Sequence, residues 1–219
     1  MTTTPDTFTP ALGRSSLTAL YDLAIRILTR ETTWRAALVQ HIAPRPGAKI
    51  LDVGCGTGSL LLDLWRTEPT AEYLGLDPDH DVLALARKKL AVAGSGVNLR
   101  EGFLSEATLP KGWHPDTVIS SLVLHQTPLP EKRRIIQAIY NVLPEGGRFF
   151  LADYSTQDTS LMRWLFRNTV QRLDGLADTQ PNADGVLPEL LGRAGFKRVD
   201  DVECYATPTG LITIYVAVA

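Results

Sequence analysis

Apolar and polar positions follow two different periods along the chain. From Lys49 to about Ala152, short apolar runs of strand length are followed by longer segments with apolar residues at helical spacing. Strands are expected at 49–53, 73–76, 97–101, 117–121 and 148–152. Helices are expected at about 58–67, 79–93 and 129–142. Mostly apolar strands that alternate with helices favour a parallel sheet covered on both faces.

The flanking segments have other patterns. LTALYDLAIRIL predicts a helix with one apolar face, and TWRAALVQHI predicts a second helix after it. Near the end, two helical segments, LMRWLFRNTVQRL and GVLPELLGRAG, precede two predicted strands joined by TPTG, a spacing typical of an antiparallel hairpin. We expect one domain, with an N-terminal helical cover at 1–46, a core at 47–219 and a helical lid at about 156–180.

Composition excludes several classes of protein. A chain of 219 residues with 44% hydrophobic residues suits one well-cored domain, and its net charge of −2 gives no general attraction to nucleic acid. No apolar run reaches the roughly 18 residues that cross a bilayer, and the opening MTTTPDTFTP lacks the features of a secretory signal. Because the 2 cysteines are too few for a disulfide framework, the cytoplasm is the expected compartment.

A glycine turn follows the first predicted strand, in ILDVGCGTGSLLLDL. Gly54, Gly56 and Gly58 have G-x-G-x-G spacing, whereas the dinucleotide fingerprint is G-x-G-x-x-G. Asp52 precedes these glycines and would repel a pyrophosphate, so this position suits a ligand with a positive charge. Asp77 ends the second predicted strand, where an acid can accept both hydroxyls of a ribose. An aminoacyl nucleoside with an ammonium group fits both carboxylates.

Four motifs occur in order and at a characteristic spacing: ILDVGCGTGSL, YLGLDPD, PDTVISSLVLH and LPEGGRFFLADY. They resemble the motifs of class I S-adenosylmethionine-dependent methyltransferases. The resemblance implies a three-layer α/β/α Rossmann-like fold, with a seven-stranded, mostly parallel sheet whose last strand is antiparallel. It also implies S-adenosyl-L-methionine as the methyl donor and S-adenosyl-L-homocysteine as the product.

The resemblance assigns cofactor contacts residue by residue. The glycine turn would hold the methionine portion, Asp77 the ribose, and Pro78 the adenine. The family usually has Gly-Asp-Ala where this chain has Gly102, Phe103 and Leu104, so apolar packing is expected in place of a side-chain bond to adenine. The positions assigned to the cofactor are Tyr21, Asp52, Gly54, Cys55, Gly56, Asp77, Pro78, Gly102, Phe103, Leu104, Ser120 and Ser121. Cys55 is interpreted as a filler of the turn and not as a nucleophile.

The acceptor side is less clearly marked. His125 follows the fourth strand and is the candidate base, since the ordinary pKa of histidine, about 6.5, suits proton removal near neutrality; the alternative is that it only shapes the pocket. The other candidate acceptor residues are Tyr21, Gln126, Asp153 and Tyr154. The alternative for Tyr21 is packing in the core. The alternative for Asp153 and Tyr154 is that they simply end the fifth strand.

Two further groups have a structural interpretation beside a functional one. Met162, Trp164 and Phe166 in the lid segment either pack in the core or cover an apolar acceptor. The run EKRR at 131–134 is interpreted as the solvated start of a helix. His41, His80 and His114 have no spacing that resembles a metal site, so no metal is predicted.

The predicted function is transfer of a methyl group to an O, N or C atom of a small-molecule acceptor, a quinone-like compound or another natural product. One alternative is a phospholipid N-methyltransferase at a membrane surface, because the first helix is amphipathic with Arg14, Arg26 and Arg30 in or beside it. Another is an accessory protein that binds S-adenosylmethionine without transferring its methyl group. A nicotinamide-dependent oxidoreductase is disfavoured by the glycine spacing. Oligomeric state is left open, with a homodimer as one alternative.

Overall fold

The computed structural model describes residues 29–219. The strands are β1 (Lys49–Val53), β2 (Glu72–Asp77), β3 (Asn98–Glu101), β4 (Thr117–Ser121), β5 (Arg148–Tyr154), β6 (Arg198–Thr207) and β7 (Gly210–Val218). The helices are α1 (Glu31–Ile42), α2 (Ser59–Thr67), α3 (His80–Val92), α4 (Leu129–Val142), α5 (Ser160–Asn168), α6 (Val170–Asp174), α7 (Leu176–Ala183) and α8 (Val186–Ala194). Short 3₁₀ turns cover Glu106–Thr108 and Leu124–Gln126.

The strands form one 7-stranded sheet in the order β3-β2-β1-β4-β5-β7-β6. β1 to β5 pair in parallel, and β7 pairs antiparallel with both β5 and β6. The order reverses between β1 and β4, which is where open α/β sheets bind ligands beyond the carboxyl ends of their strands. The predicted sheet with an antiparallel last strand is confirmed.

Adjacent strand residues face opposite sides and build two separate cores. Ile50, Tyr73 and Phe150 pack with α1, α2, α3 and α5 on one face. Their neighbours Leu51, Leu74 and Phe149 pack with α4 and α8 on the other. Because both faces are covered, the central strands are apolar at almost every position. The three-layer arrangement therefore follows from the continuous apolar runs in the sequence.

Two predicted elements differ from the structure. β5 does not end at Ala152 but continues through Asp153 and Tyr154, which pair with Thr213 and Ile212 of β7. The single helix predicted over LMRWLFRNTVQRL is divided at Thr169, whose backbone leaves the helical region (φ −118, ψ −86) and whose hydroxyl bonds to the carbonyls of Leu165 and Thr209.

The helices α5–α7, called the lid helices below, follow the carboxyl end of β5. Asn182 of α7 donates its side-chain amide to the carbonyl of Tyr154 at 2.9 Å, and this bond fastens α7 to the end of β5. Phe166 is 1% exposed and Trp164 is 61% exposed. Core packing is therefore correct for Phe166 but not for Trp164.

Only part of the predicted N-terminal cover falls within the described residues. The predicted first helix and Tyr21 lie outside residues 29–219. In α1, Trp34, Leu38 and Ile42 are buried in the same core as β1 and α2, so this helix is a layer of the main fold. Among residues 29–219, no helix is both long and apolar enough to cross a membrane.

Candidate functional site

The glycine turn connects β1 to α2 by a tight backbone path. Gly54, Gly56 and Gly58 have φ of 76°, 54° and 70°, a left-handed region that side chains disfavour. The amides of Gly54 and Cys55 both donate to the carbonyl of Leu76, at 2.8 and 2.9 Å. This turn is therefore held against the end of β2, and α2 starts directly after it.

Gly54 also lies against the segment that follows β4. A Cβ on Gly54 would clash with the side chain of Val123, just after β4, whereas a Cβ on Gly56 would meet nothing within 4 Å. The next residue toward β4, Leu122, has φ of 54°, a strained value for a branched apolar residue. The turns after β1 and β4 thus form a single packed edge.

This difference predicts unequal effects of adding one methyl group. We expect Gly54→Ala to lower the free energy of unfolding by about 3 kcal/mol, because a left-handed conformation and a clash are both imposed. Gly56→Ala should cost only about 1 kcal/mol, from the conformation alone. Urea denaturation of both variants measures the difference, and equal losses would contradict the close contact with Val123.

Asp52 is a buried carboxyl in β1 with 1% of its surface exposed. Its Oδ1 has no hydrogen-bond partner among the residues that the structure describes. Burial, and next the charge of Asp77, raise the pKa of Asp52 to about 7, while the charge of buried Arg35 opposes this shift. A buried carboxyl without a donor is costly unless a ligand supplies one. That an ammonium group is this partner stays a prediction.

Asp77 ends β2 and organises the glycine turn. Its Oδ2 accepts from the amide of Gly56, and its Oδ1 accepts from the amide of Asp79, both at 2.9 Å. Burial raises the pKa of Asp77, and the two amide bonds oppose this shift. Because each carboxylate oxygen has a second lone pair, Asp77 keeps the capacity to accept from two hydroxyls. The bond of Asp77 to a ribose stays a prediction.

Cys55 packs its thiol against β2. The side chain is 8% exposed and its sulfur lies over Gly75 of β2, where a Cβ would come within 2.8 Å of it. Burial, with Asp52 and Asp77 adding to it, raises the pKa of the Cys55 thiol far above its usual range. Such a thiol is inert. Any contact of Cys55 with a cofactor is therefore made by its backbone, as expected of a filler.

The edge predicted for adenine is built after β2 and β3. The amide of Gly102, with φ of 132°, donates to the carbonyl of Asp77 at 3.0 Å. Pro78 is half-buried and Phe103 is 55% exposed, whereas Leu104 packs against the second core. Pro78 and Phe103 thus offer apolar surface near Asp77. Their contact with adenine stays a prediction.

Ser120 and Ser121 differ in access. Ser120 is fully buried, and its hydroxyl donates to the carbonyl of Val53 at 2.9 Å, which ties the ends of β4 and β1 together. Ser121 is half-buried. Because its hydroxyl is already engaged, Ser120 supports the site from within, and Ser121 is the more accessible of the two.

His125 lies at the centre of a buried polar cluster. Its Nδ1 is 2.8 Å from Oδ1 of Asp153, and its ring meets that of Tyr154 edge to face, with centroids 5.0 Å apart. Asp153 also accepts from the amides of Leu124 and His125, at 2.7 and 3.3 Å. The carboxylate of Asp153 therefore fixes both the imidazole and the turn that carries it.

A second carboxylate lies at the other ring nitrogen. Nε2 of His125 is 3.5 Å from Oδ2 of Asp174, the last residue of lid helix α6. Burial of the ring disfavours its charged form, but Asp153 and Asp174 together outweigh burial and raise the pKa of His125 to about 9. The ordinary pKa assumed from the sequence is therefore wrong. Near neutrality His125 is a cation between two carboxylates.

The other candidate acceptor residues differ in how exposed they are. Gln126 is exposed beside His125. Asp153 is completely buried, and Tyr154 is 3% exposed with its hydroxyl 2.8 Å from that of Thr209. These two residues lie within β5 and pack behind His125, so neither presents an open surface to an acceptor. Their contribution to the site is to hold His125.

Sequence reasoning missed two members of this cluster. Asp174 lies 49 positions beyond His125 (174 − 125), and no local pattern marks that contact. Lys132 belongs to the EKRR run interpreted as solvated, yet it has no exposed surface. The available signal was helical spacing. Lys132 has the helical spacing of Ile136 and Ile139, which are buried.

The comparisons with known proteins agree with this geometry. Residues 50–147 match the protein family described as a methyltransferase domain. The chain is 25% identical over 213 residues to the ubiquinone/menaquinone biosynthesis C-methyltransferase UbiE of Syntrophotalea carbinolica, covering 89% of this chain and 87% of that protein. It is 33% identical over 116 residues to carboxy-S-adenosyl-L-methionine synthase of Campylobacter lari, covering 53% of this chain and 48% of that protein.

Solved structures share the fold. SibL, an S-adenosylmethionine-dependent methyltransferase in its apo form, superposes with a TM-score of 0.69 at 21% identity, covering 93% of this chain and 59% of that chain. PigF with SAH gives a TM-score of 0.62 at 23% identity, covering 78% of this chain and 50% of that chain. The chain thus spans about half the length of several of these relatives.

The sheet order and the acid-flanked glycine turn agree with the methyltransferase domain that residues 50–147 match. The fold is the Rossmann-like methyltransferase fold. The chain is also similar to quinone methyltransferases of ubiquinone and menaquinone biosynthesis.

Proposed function

We propose that this chain methylates a small molecule whose reacting atom must lose a proton, a hydroxyl oxygen or an acidic carbon. The observation that carries this proposal is the buried pair of His125 and Asp153 beside the lid helices. An acceptor whose reacting atom is already nucleophilic needs no base. A hydroxyl or an acidic carbon becomes a good nucleophile only when it loses its proton, so it needs one. The quinone methyltransferases among the relatives support an acceptor of this kind.

S-adenosylmethionine supplies a methyl group on a sulfonium, which is a good leaving group, so the protein mainly binds, orients and excludes water. Asp52 would hold the ammonium group, since no residue within 29–219 donates to its Oδ1. Asp77 would accept from the ribose hydroxyls while it keeps the Gly56 amide in place. Both carboxylates would thereby fix the methyl group beyond the carboxyl ends of β1 and β2.

His125 would act through Nε2. The bond from Nδ1–H to Asp153 leaves Nε2 as the basic nitrogen of the neutral ring. Nε2 must first release its own proton to solvent, which gives the neutral ring. Once the acceptor has displaced Asp174, the neutral Nε2 removes the acceptor's proton and Asp153 stabilises the resulting imidazolium. Tyr154 and Phe166, whose rings lie 5.1 Å apart, close this side of the cluster to water.

Replacing His125 by Ala tests the proposed base. We expect turnover to fall at least roughly tenfold, as removal of a general base does, while affinity for S-adenosylmethionine stays unchanged. Calorimetry and a methyl-transfer assay measure these quantities separately. His80 is exposed and pairs with Glu101 at 2.8 Å, so His80→Ala is the matched control. Undiminished turnover of His125→Ala at pH 9, where about half of the wild-type rings are neutral, would rule out the base.

The acceptor itself can be found with labelled donor. Methyl-labelled S-adenosylmethionine is incubated with a panel of phenols, hydroquinones, amines and phospholipid vesicles, and labelled products are separated. We expect label in the phenols or hydroquinones. Label confined to amines or phospholipids would contradict the proposed acceptor, and tight cofactor binding without any labelled product would favour a non-catalytic protein.

A further inference from the structure

A lysine that the proposed chemistry does not use is buried beneath the His125 cluster. Lys132 lies in the first turns of α4 and has no exposed surface, although its neighbour Arg133 is exposed. Its Nζ donates to the carbonyls of Leu124, of Thr127 at 2.7 Å and of Asp178 at 2.8 Å. Since an ammonium has three N–H donors, Lys132 is fully satisfied by backbone acceptors.

The position does not need a cation for packing. Burial lowers the pKa of Lys132 to about 8, although the charges of Asp153 and Asp178 oppose this shift. Transfer of an ammonium from water into a protein is expensive, and an aliphatic residue would fill a buried helix position at no such cost. The benefit of Lys132 must therefore lie in the groups that it joins.

Those groups belong to two different elements. Leu124 and Thr127 bracket the turn that carries His125 and Gln126, whereas Asp178 lies in lid helix α7. Lys132 thus joins the turn that carries His125 to lid helix α7. The pair of Asp174 and His125 is a second connection between the same two elements.

We propose that Lys132 is a positioning residue that holds lid helix α7 against the turn carrying His125, so that acceptor binding depends on it. This inference rests on the proposed function for its catalytic consequence. Its structural part, the coupling of the turn to the lid, concerns the protein without any ligand. The two parts can therefore be tested separately.

Hydrogen exchange of the ligand-free protein tests the coupling. In Lys132→Met, a variant of similar length without the charge, amides at 124–127 and 176–183 should exchange roughly tenfold faster, while β1 and β4 keep their protection. Arg133→Met removes one exposed cation from the same helix turn and should change neither segment. Unchanged exchange at 176–183 in Lys132→Met would overturn the proposal, and so would uniform acceleration throughout the sheet.

Kinetics then test the catalytic consequence. We expect Lys132→Met to raise the KM for the acceptor roughly tenfold, within the roughly 100-fold that a 1 Å misplacement can cost, with the affinity for S-adenosylmethionine unchanged. Lys132→Arg, which keeps the charge and the donors, should restore part of the loss and serves as the test if the Met variant does not fold. An unchanged KM with faster lid exchange would refute the catalytic part alone, whereas absence of methyl transfer by the wild type would refute the proposed function.

Discussion

Replacing Asp77 by Ala is expected to weaken binding of S-adenosylmethionine at least roughly 100-fold, since two hydrogen bonds to a carboxylate together contribute about 3 kcal/mol. The expected loss includes a local effect, because Asp77 also accepts from the amides of Gly56 and Asp79 and so shapes the glycine turn. Isothermal calorimetry measures the affinity directly.

Asp81→Ala is the matched control for this variant. Asp81 is an exposed carboxylate in the first turn of α3, four residues beyond Asp77 (81 − 77). We expect its loss to leave the affinity within about twofold, because an exposed charge is screened by solvent. Equal weakening by both substitutions would mean that net charge and not the Asp77 carboxylate determines binding.

The activity is expected to rise steeply with pH between 7 and 9. Asp153 and Asp174 outweigh burial and raise the pKa of His125 to about 9, above its ordinary value, so the neutral ring that acts as a base is lost as pH falls below that value. The neutral fraction, and with it kcat/KM, should increase roughly 50-fold from pH 7 to pH 9. A pH profile of kcat/KM measures this limb in the free enzyme.

Asp174→Asn separates the lid carboxylate from the rest of the cluster. Loss of this charge lowers the pKa of His125, so the limb moves to lower pH and kcat/KM at pH 7 rises. Asp158→Asn removes an exposed carboxylate just before α5 and should leave the profile unchanged. A wild-type limb at or below the ordinary histidine pKa of about 6.5 would contradict the ion pairs on both sides of the ring.

The sheet and the glycine turn could be predicted from sequence because their determinants are local. Strands buried on both faces are apolar throughout, and Gly54, Gly56 and Gly58 adopt the left-handed backbone that only glycine enters freely. The end of β5 was misjudged because Asp153 and Tyr154 are polar, although pairing with β7 keeps them in the strand. Helix α7 was missed because LADTQPNA has no apolar stripe and contains Pro181.

Only part of the cluster around His125 could be predicted from the sequence, and the reason is different. Histidine after a predicted β4 is a local signal, but the groups that set its charge come from β5 and α6. Their contacts depend on how the lid helices fold back over the sheet, which no spacing rule specifies. The charged EKRR run suggested solvent for Lys132, whereas three backbone carbonyls hold it in the interior.

We infer that the glycine turn after β1, with Asp52 and Asp77 beside it, binds a sulfonium nucleoside and not a pyrophosphate. Calorimetric titration of the purified chain with S-adenosyl-L-homocysteine, and in parallel with NADH, tests this most directly. We expect one equivalent of S-adenosyl-L-homocysteine to bind with a Kd on the order of 1–10 μM, and NADH to give no heat of binding. Binding of NADH without binding of S-adenosyl-L-homocysteine would contradict the whole account.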